Sequence, residues 1–232
     1  GQSGIVWFSV FILVALAIQV YVARWYRDQL SYLEPVKKET RRRDGSKKTD
    51  KILWYLTILV VLIFSKTLYS AAMTQYYPFY LIQTYGVSIE RAQWQVFLLL
   101  GAGVIGTFLG GSLADRFGRR DMIWVSVLGA APFAILLPYV NLFWAAVFCV
   151  LIGLIFNSSF SIIVVYAQEL LPGRVGAVSG LFFGLAFGLG GIGSVMLGTL
   201  ADITGIGMVI LLSSILPLIG ILTAFLPGDR RS

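Results

Sequence analysis

The chain has 232 residues, 58% of them hydrophobic and only 12% charged, and its 18 Lys and Arg against 11 Asp and Glu give a net charge of +7. Soluble domains carry about 25% charged residues, so this composition, with a mean hydropathy of +0.84, excludes a water-soluble globular fold and marks an integral membrane protein. The chain has no histidine and a single cysteine, which removes the usual neutral-pH proton carrier, the commonest metal ligand and any disulfide framework.

Seven apolar segments can be counted, at 5–22, 52–80, 92–114, 122–139, 142–167, 177–201 and 207–227. Most approach the ~20 residues that cross a bilayer. Their continuous apolar runs lack the alternation of barrel strands, so the expected class is an all-α polytopic membrane protein with seven transmembrane helices. The organisation predicted is a helix at 1–23, a basic linker at 24–51, a six-helix bundle at 52–228 and a short tail at 229–232. If the segments alternate, 16 of the 18 basic residues fall on one side, which puts the N-terminus outside and the C-terminus in the cytoplasm. The positive charge reflects that asymmetry and not nucleic-acid binding.

The first segment is apolar apart from Ser9 and Gln19 and reads as a lipid-facing helix. The chain opens on Gly1 with no basic stretch before this run, so a truncated start is expected and not a signal peptide. The linker follows, with ten bases, five acids, Pro35 and Gly45. It reads as a solvated connector whose basic clusters can touch anionic lipid, though a plain tether is the better reading.

The second segment departs from the greasy pattern. Lys66 lies about 21 Å along the helix axis from Ile52, deep in a hydrocarbon core of ~30 Å. A lysine there is costly unless it faces a wet cavity or a partner, and its depth argues against snorkelling. Lys66, Tyr69, Ser70, Met73 and Tyr77 share one helical face, so a polar, aromatic stripe is expected to line a cavity.

The third segment carries Gly106-x-x-x-Gly110, a spacing that allows close helix approach, either as static packing or as a sliding interface. The fourth, with Pro132 and Pro138, is expected to kink. In the fifth, Asn157 and Ser161 stand four apart near mid-membrane and share a face, open either to interhelical hydrogen bonds or to substrate. Asn157-Ser158-Ser159 also matches a glycosylation acceptor, which its depth excludes. Cys149, alone in this segment, reads as a packing residue. Pro172 and Gly173 end the segment. The sixth segment spaces Gly176, Gly180, Gly184 and Gly188 four apart, a ridge that lets two backbones meet and weakens the helix enough to bend. Pro217 is a kink in the seventh.

Between the third and fourth segments stands Gly111-Ser112-Leu113-Ala114-Asp115-Arg116-Phe117-Gly118-Arg119-Arg120. So short a reversal needs a residue at positive φ, which Gly118 supplies, and its arginines fix the turn on the cytoplasmic side. This stretch resembles the signature loop of the major facilitator superfamily of secondary transporters, with every position of the pattern filled. The resemblance implies that Asp115 meets a neighbouring helix end and that Arg116, Arg119 and Arg120 form charge relays latching a cytoplasmic gate, together with Gly111 and Gly118. It also implies two six-helix halves joined by a basic linker, so that this chain corresponds to helices six to twelve and lacks most of the N-terminal half. Without that half it could not alternate access. The glycine ridge resembles the gating motif of antiporters in the same superfamily, with Leu189 where that motif has proline.

The stretches 69–80, 111–120, 165–174 and 179–184 further resemble a bacterial drug-exporting branch of the superfamily. By that resemblance the complete protein sits in the inner membrane and exports small antibiotics, an anionic phosphonate among them, in exchange for protons, with no cofactor. Lys66, Tyr69, Ser70, Tyr77, Asn157 and Ser161 would then line the substrate cavity, Lys66 suiting the anion. No Asp or Glu sits mid-membrane, so the proton carrier lies in the missing half or is Lys66 itself. Import of a small metabolite is the alternative that the fold cannot separate. A seven-helix receptor is more distant: Asp115-Arg116-Phe117 imitates a receptor motif, but the last segment lacks Asn-Pro-x-x-Tyr and Cys149 has no partner. Gly1-Gln2-Ser3-Gly4 imitates an intramembrane serine protease, but with no histidine there is no base. The chain is not read as an enzyme.

Overall fold

A computed structural model describes residues 14, 16, 18–22, 24, 25, 49–171 and 173–227, and among them the regular structure is entirely helical. The chain divides into two compact units, Gly1–Thr49 and Asp50–Ser232. In the first, positions 14, 16, 18–22, 24 and 25 are helical and exposed. Most of the expected linker, Pro172 and the expected tail lie outside the described residues.

The second unit holds six helical stretches long and apolar enough to cross a membrane: Lys51–Tyr85, Ile89–Phe117, Arg119–Tyr139, Leu142–Leu170, Val175–Thr204 and Ile206–Phe225. The first is α1 (Thr49–Ala71), a π-helical turn (Ala72–Tyr76) and α2 (Tyr77–Tyr85). The wider turn has a cause in the sequence. Pro78 has no N–H to give the carbonyl four residues back, and the Tyr77 N–H bonds Ala72 O, five back, absorbing one extra residue. Ser88 caps α3 (Ile89–Phe117), its hydroxyl accepting the Arg91 N–H. Gly118 alone, at φ 97°, separates α3 from α4 (Arg119–Leu136), as the sequence required of that position. A 3-10 turn at Leu137–Tyr139, containing Pro138, closes this span.

Asn141 caps α5 (Leu142–Asn157) by accepting the Trp144 N–H at 3.1 Å. The fifth segment does not run on as one helix. It stops at Asn157, turns through Ser158-Ser159 and resumes as α6 (Phe160–Leu170). Three residues with poor helix propensity, whose side chains compete for backbone groups, stand together at that point. The glycine-rich α7 (Val175–Thr204) and α8 (Ile206–Ser213) follow, joined by Gly205, and a 3-10 run at Leu216–Phe225 ends the last span. Pro217 has no N–H for the carbonyl of Ser213, where α8 stops.

The core centres on α3 against α5. A Cβ at Gly106 would strike the Leu154 carbonyl, one at Gly110 the Ser158 carbonyl, and one at Gly153 the Leu99 carbonyl. The small residues are therefore contact surface between two backbones. Tyr80 and Tyr85 hydroxyls donate to the carbonyls of Pro138 and Val140 at one end of the bundle, and Tyr166 donates to the Pro227 carbonyl at the other.

Candidate functional site

The break in the fifth span is where the polar groups of the bundle converge. Where a helix stops, its last carbonyls lose their partners. In hydrocarbon each such group must be satisfied by protein or water. Here Ser158 donates to Ile155 O at 2.7 Å, Ser126 Oγ lies 2.6 Å from Ile155 O and 3.1 Å from Phe156 O, and Lys66 Nζ donates to Phe156 O and, at 3.0 Å, to Ser159 Oγ. Ser126 and Ser159 hydroxyls are 2.9 Å apart. One consistent proton order runs from Lys66 N–H to Ser159, from Ser159 O–H to Ser126, and from Ser126 O–H to Ile155 O. The Lys66 amine also sits 3.9 Å from the Phe156 ring centroid, in cation–π range, and Tyr69 packs edge-on to the same ring at 5.0 Å.

The expected cavity stripe is divided by this geometry. Lys66 is 4% exposed and Tyr69 and Tyr77 are fully buried, so these three lie on the core side of the first span and Lys66 does not open onto water in this chain. Its amine is met by a carbonyl, a hydroxyl and a ring. Tyr77 donates to Gln95 Oε1 at 2.8 Å, and Gln95 Nε2 donates to Leu142 O at 3.3 Å, while the buried Tyr69 hydroxyl has no hydrogen-bond partner. Ser70 and Ser161 are exposed. Asn157 is half-buried, lying over Gly103 where a Cβ would meet its amide. The Ser158-Ser159 turn falls between Asn157 and Ser161.

The arginine turn is tied into the bundle by two of its three bases. Arg119 pairs with Glu169, at the end of α6, and Arg120 Nη2 donates to Ala224 O at 2.8 Å, in the last span. Gln168 Nε2 donates to Ser179 Oγ at 2.8 Å, bringing α7 to the same end. Gly111, Asp115 and Arg116 are exposed. The ridge of Gly176, Gly180, Gly184 and Gly188 is likewise unpartnered, with nothing within 4 Å of a Cβ built at any of them. Further along, α7 is held. Gly193 packs on Leu68, and the Tyr76 hydroxyl, brought round by the π turn, donates to Ser194 O at 2.7 Å.

Sequence reasoning passed over Ser126, Gln95, Tyr76 and the carbonyl of Phe156. Ser126 and Gln95, each 6% exposed or less, were visible as isolated polar side chains in apolar runs. The Phe156 carbonyl left no trace, since its role follows from the break. Among the described residues no three His, Cys, Asp or Glu come together to hold a metal.

Six apolar spans around a core with a broken helix, closed at one end by an arginine-bearing turn, define a polytopic membrane protein. The model of the Major Facilitator Superfamily matches residues 1–193, and the chain belongs to that family. It is 46% identical, over 231 residues, to the fosmidomycin resistance protein of Escherichia coli strain K12, covering all of this chain and 56% of that protein. It is 44% identical, over 232 residues, to the uncharacterized MFS-type transporter YfnC of Bacillus subtilis strain 168, of which it covers 57%. A glycerol-3-phosphate transporter of the same Bacillus strain is 31% identical over 94 residues, 40% of this chain and 20% of that protein. The chain thus spans little more than half the length of the two relatives that match it throughout.

Proposed function

We propose that this chain is the C-terminal half, with one helix of the other half, of a proton-driven exporter of small antibiotics such as fosmidomycin. The observation that carries the reading is the 46% identity, across the whole chain, to a fosmidomycin resistance protein. The complete protein then sits in a bacterial inner membrane, with the arginine turn and C-terminus cytoplasmic and a further six-helix half facing this one. Exposed polar groups in mid-span are disfavoured against lipid, which makes Ser70 and Ser161 the cavity wall on this side, flanked by Asn157. Lys66, Tyr69 and Tyr77 stand one layer behind them. The substrate class is a small phosphorus oxyanion: fosmidomycin is a phosphonate, and the partial relative's name carries a phosphate ester.

The test is drug uptake into everted vesicles from an export-deficient bacterium expressing the full-length protein. Fosmidomycin is expected to accumulate when a proton gradient is imposed, and to leak out when a protonophore collapses it. Accumulation in right-side-out vesicles instead would favour the second reading, import of a small organophosphate, which the likeness to the glycerol-3-phosphate transporter supports. No gradient-dependent movement in either direction would contradict both.

A further inference from the structure

We propose that Lys66 is a tethered cation that keeps the fifth span broken at Ser158-Ser159, occupying the carbonyl end of α5 where a free monovalent cation would otherwise be needed. The carbonyl end of a helix carries the equivalent of about half a negative charge. In transporters built with discontinuous spans, freed carbonyls and half-helix ends of this kind coordinate sodium ions. Here the ligands around the amine are of that kind: Phe156 O, Ser159 Oγ and the face of the Phe156 ring. The carboxylates of the described residues stand at helix ends, and none answers the charge in mid-span. Ile155 O is served by Ser126 and Ser158, and Phe156 O is met by Lys66 with Ser126 3.1 Å away. Removing the amine leaves that carbonyl with the Ser126 hydroxyl alone, and so open to a borrowed cation or to reclosure of the span into a continuous helix. Reclosure would redirect α6, whose inner end carries Gln168 and Glu169 and so the links to α7 and the arginine turn. Lys66 is on this account a positioning residue, acting from mid-membrane on the cytoplasmic end of the bundle.

The test is the thermal midpoint of the purified full-length protein, without drug, in choline, sodium, potassium or methylammonium chloride at equal ionic strength. The unsubstituted protein is expected to melt alike in all four. Lys66→Ala is expected to fall by about 5 °C in choline, a shift of the size a lost buried interaction gives, and to recover at least half of it in methylammonium or one of the metal salts. A fall that is the same in every salt, or no fall, overturns the proposal. Should Lys66→Ala not fold, Lys66→Arg and Lys66→Met decide it. The arginine variant is expected to keep the midpoint and the methionine variant to lose it, and equal behaviour of the two overturns the assignment.

Discussion

A lysine inside a bilayer span stays charged by reaching the interface, by opening onto water, or by finding partners in the protein. The Lys66 amine has its partners in the protein, and the residues that meet it set the energetics around the break. Ser126 is one of two donors near Ile155 O, so Ser126→Ala leaves that carbonyl weakened and not orphaned. The expected cost is about 1 kcal/mol, near the middle of the range for a buried hydrogen bond, read as a lowered thermal midpoint of the full-length protein. Ser161 is exposed and meets no described partner, so Ser161→Ala is expected to stay within about 0.5 kcal/mol of the unsubstituted protein, as surface changes usually do. The depth and cost of Lys66 could be read from its position alone. Its direction could not, because helical periodicity tells which residues share a face and says nothing of what that face meets. Lys66 and Tyr77 do share a face, and it is the core face.

At the scale of the element, two glycine patterns of the same spacing behave differently. Gly106 and Gly110 press on the backbone of α5 and the turn that follows it, and Gly106→Ala is expected to lower stability by about 1–3 kcal/mol, the usual cost of overpacking. Gly184 meets nothing within 4 Å. Gly184→Ala should therefore leave the bundle's own packing untouched and gain up to about 1 kcal/mol of helix propensity. Parallel thermal melts of the two variants in detergent check the contrast, and similar losses for both would refute it. Spacing was legible for both patterns, but the partner of each lay in tertiary structure. The same limit explains the fifth span. Pro217 announced its irregularity, whereas the break at Ser158-Ser159 carries no proline or glycine. Only the weak helix formers of 157–159 hinted at it.

For the whole molecule, the six spans of the second unit alternate so that the arginine turn, the end of α6 and the end of the last span come together. Arg116, Arg119 and Arg120 lie at that end, which the proposed function makes cytoplasmic. Cysteines introduced at Arg116 and at Val87 are then expected to react with an impermeant maleimide from opposite sides of the membrane, Arg116→Cys from inside and Val87→Cys from outside. Reaction of both from one side would break the alternation. Asp115, Arg116 and the glycine ridge of α7 are left open, and the proposed function assigns them to contact with a second half. The measurement that bears most directly on the exporter reading is substrate protection of single cysteines in the full-length protein on a Cys149→Ser background. Ser70→Cys and Ser161→Cys are predicted to react with a small hydrophilic maleimide and to be protected by fosmidomycin, while Tyr69→Cys stays unreactive. Ready labelling of Tyr69→Cys, or labelling of Ser70→Cys and Ser161→Cys that fosmidomycin does not slow, would contradict the cavity and the substrate assigned to it.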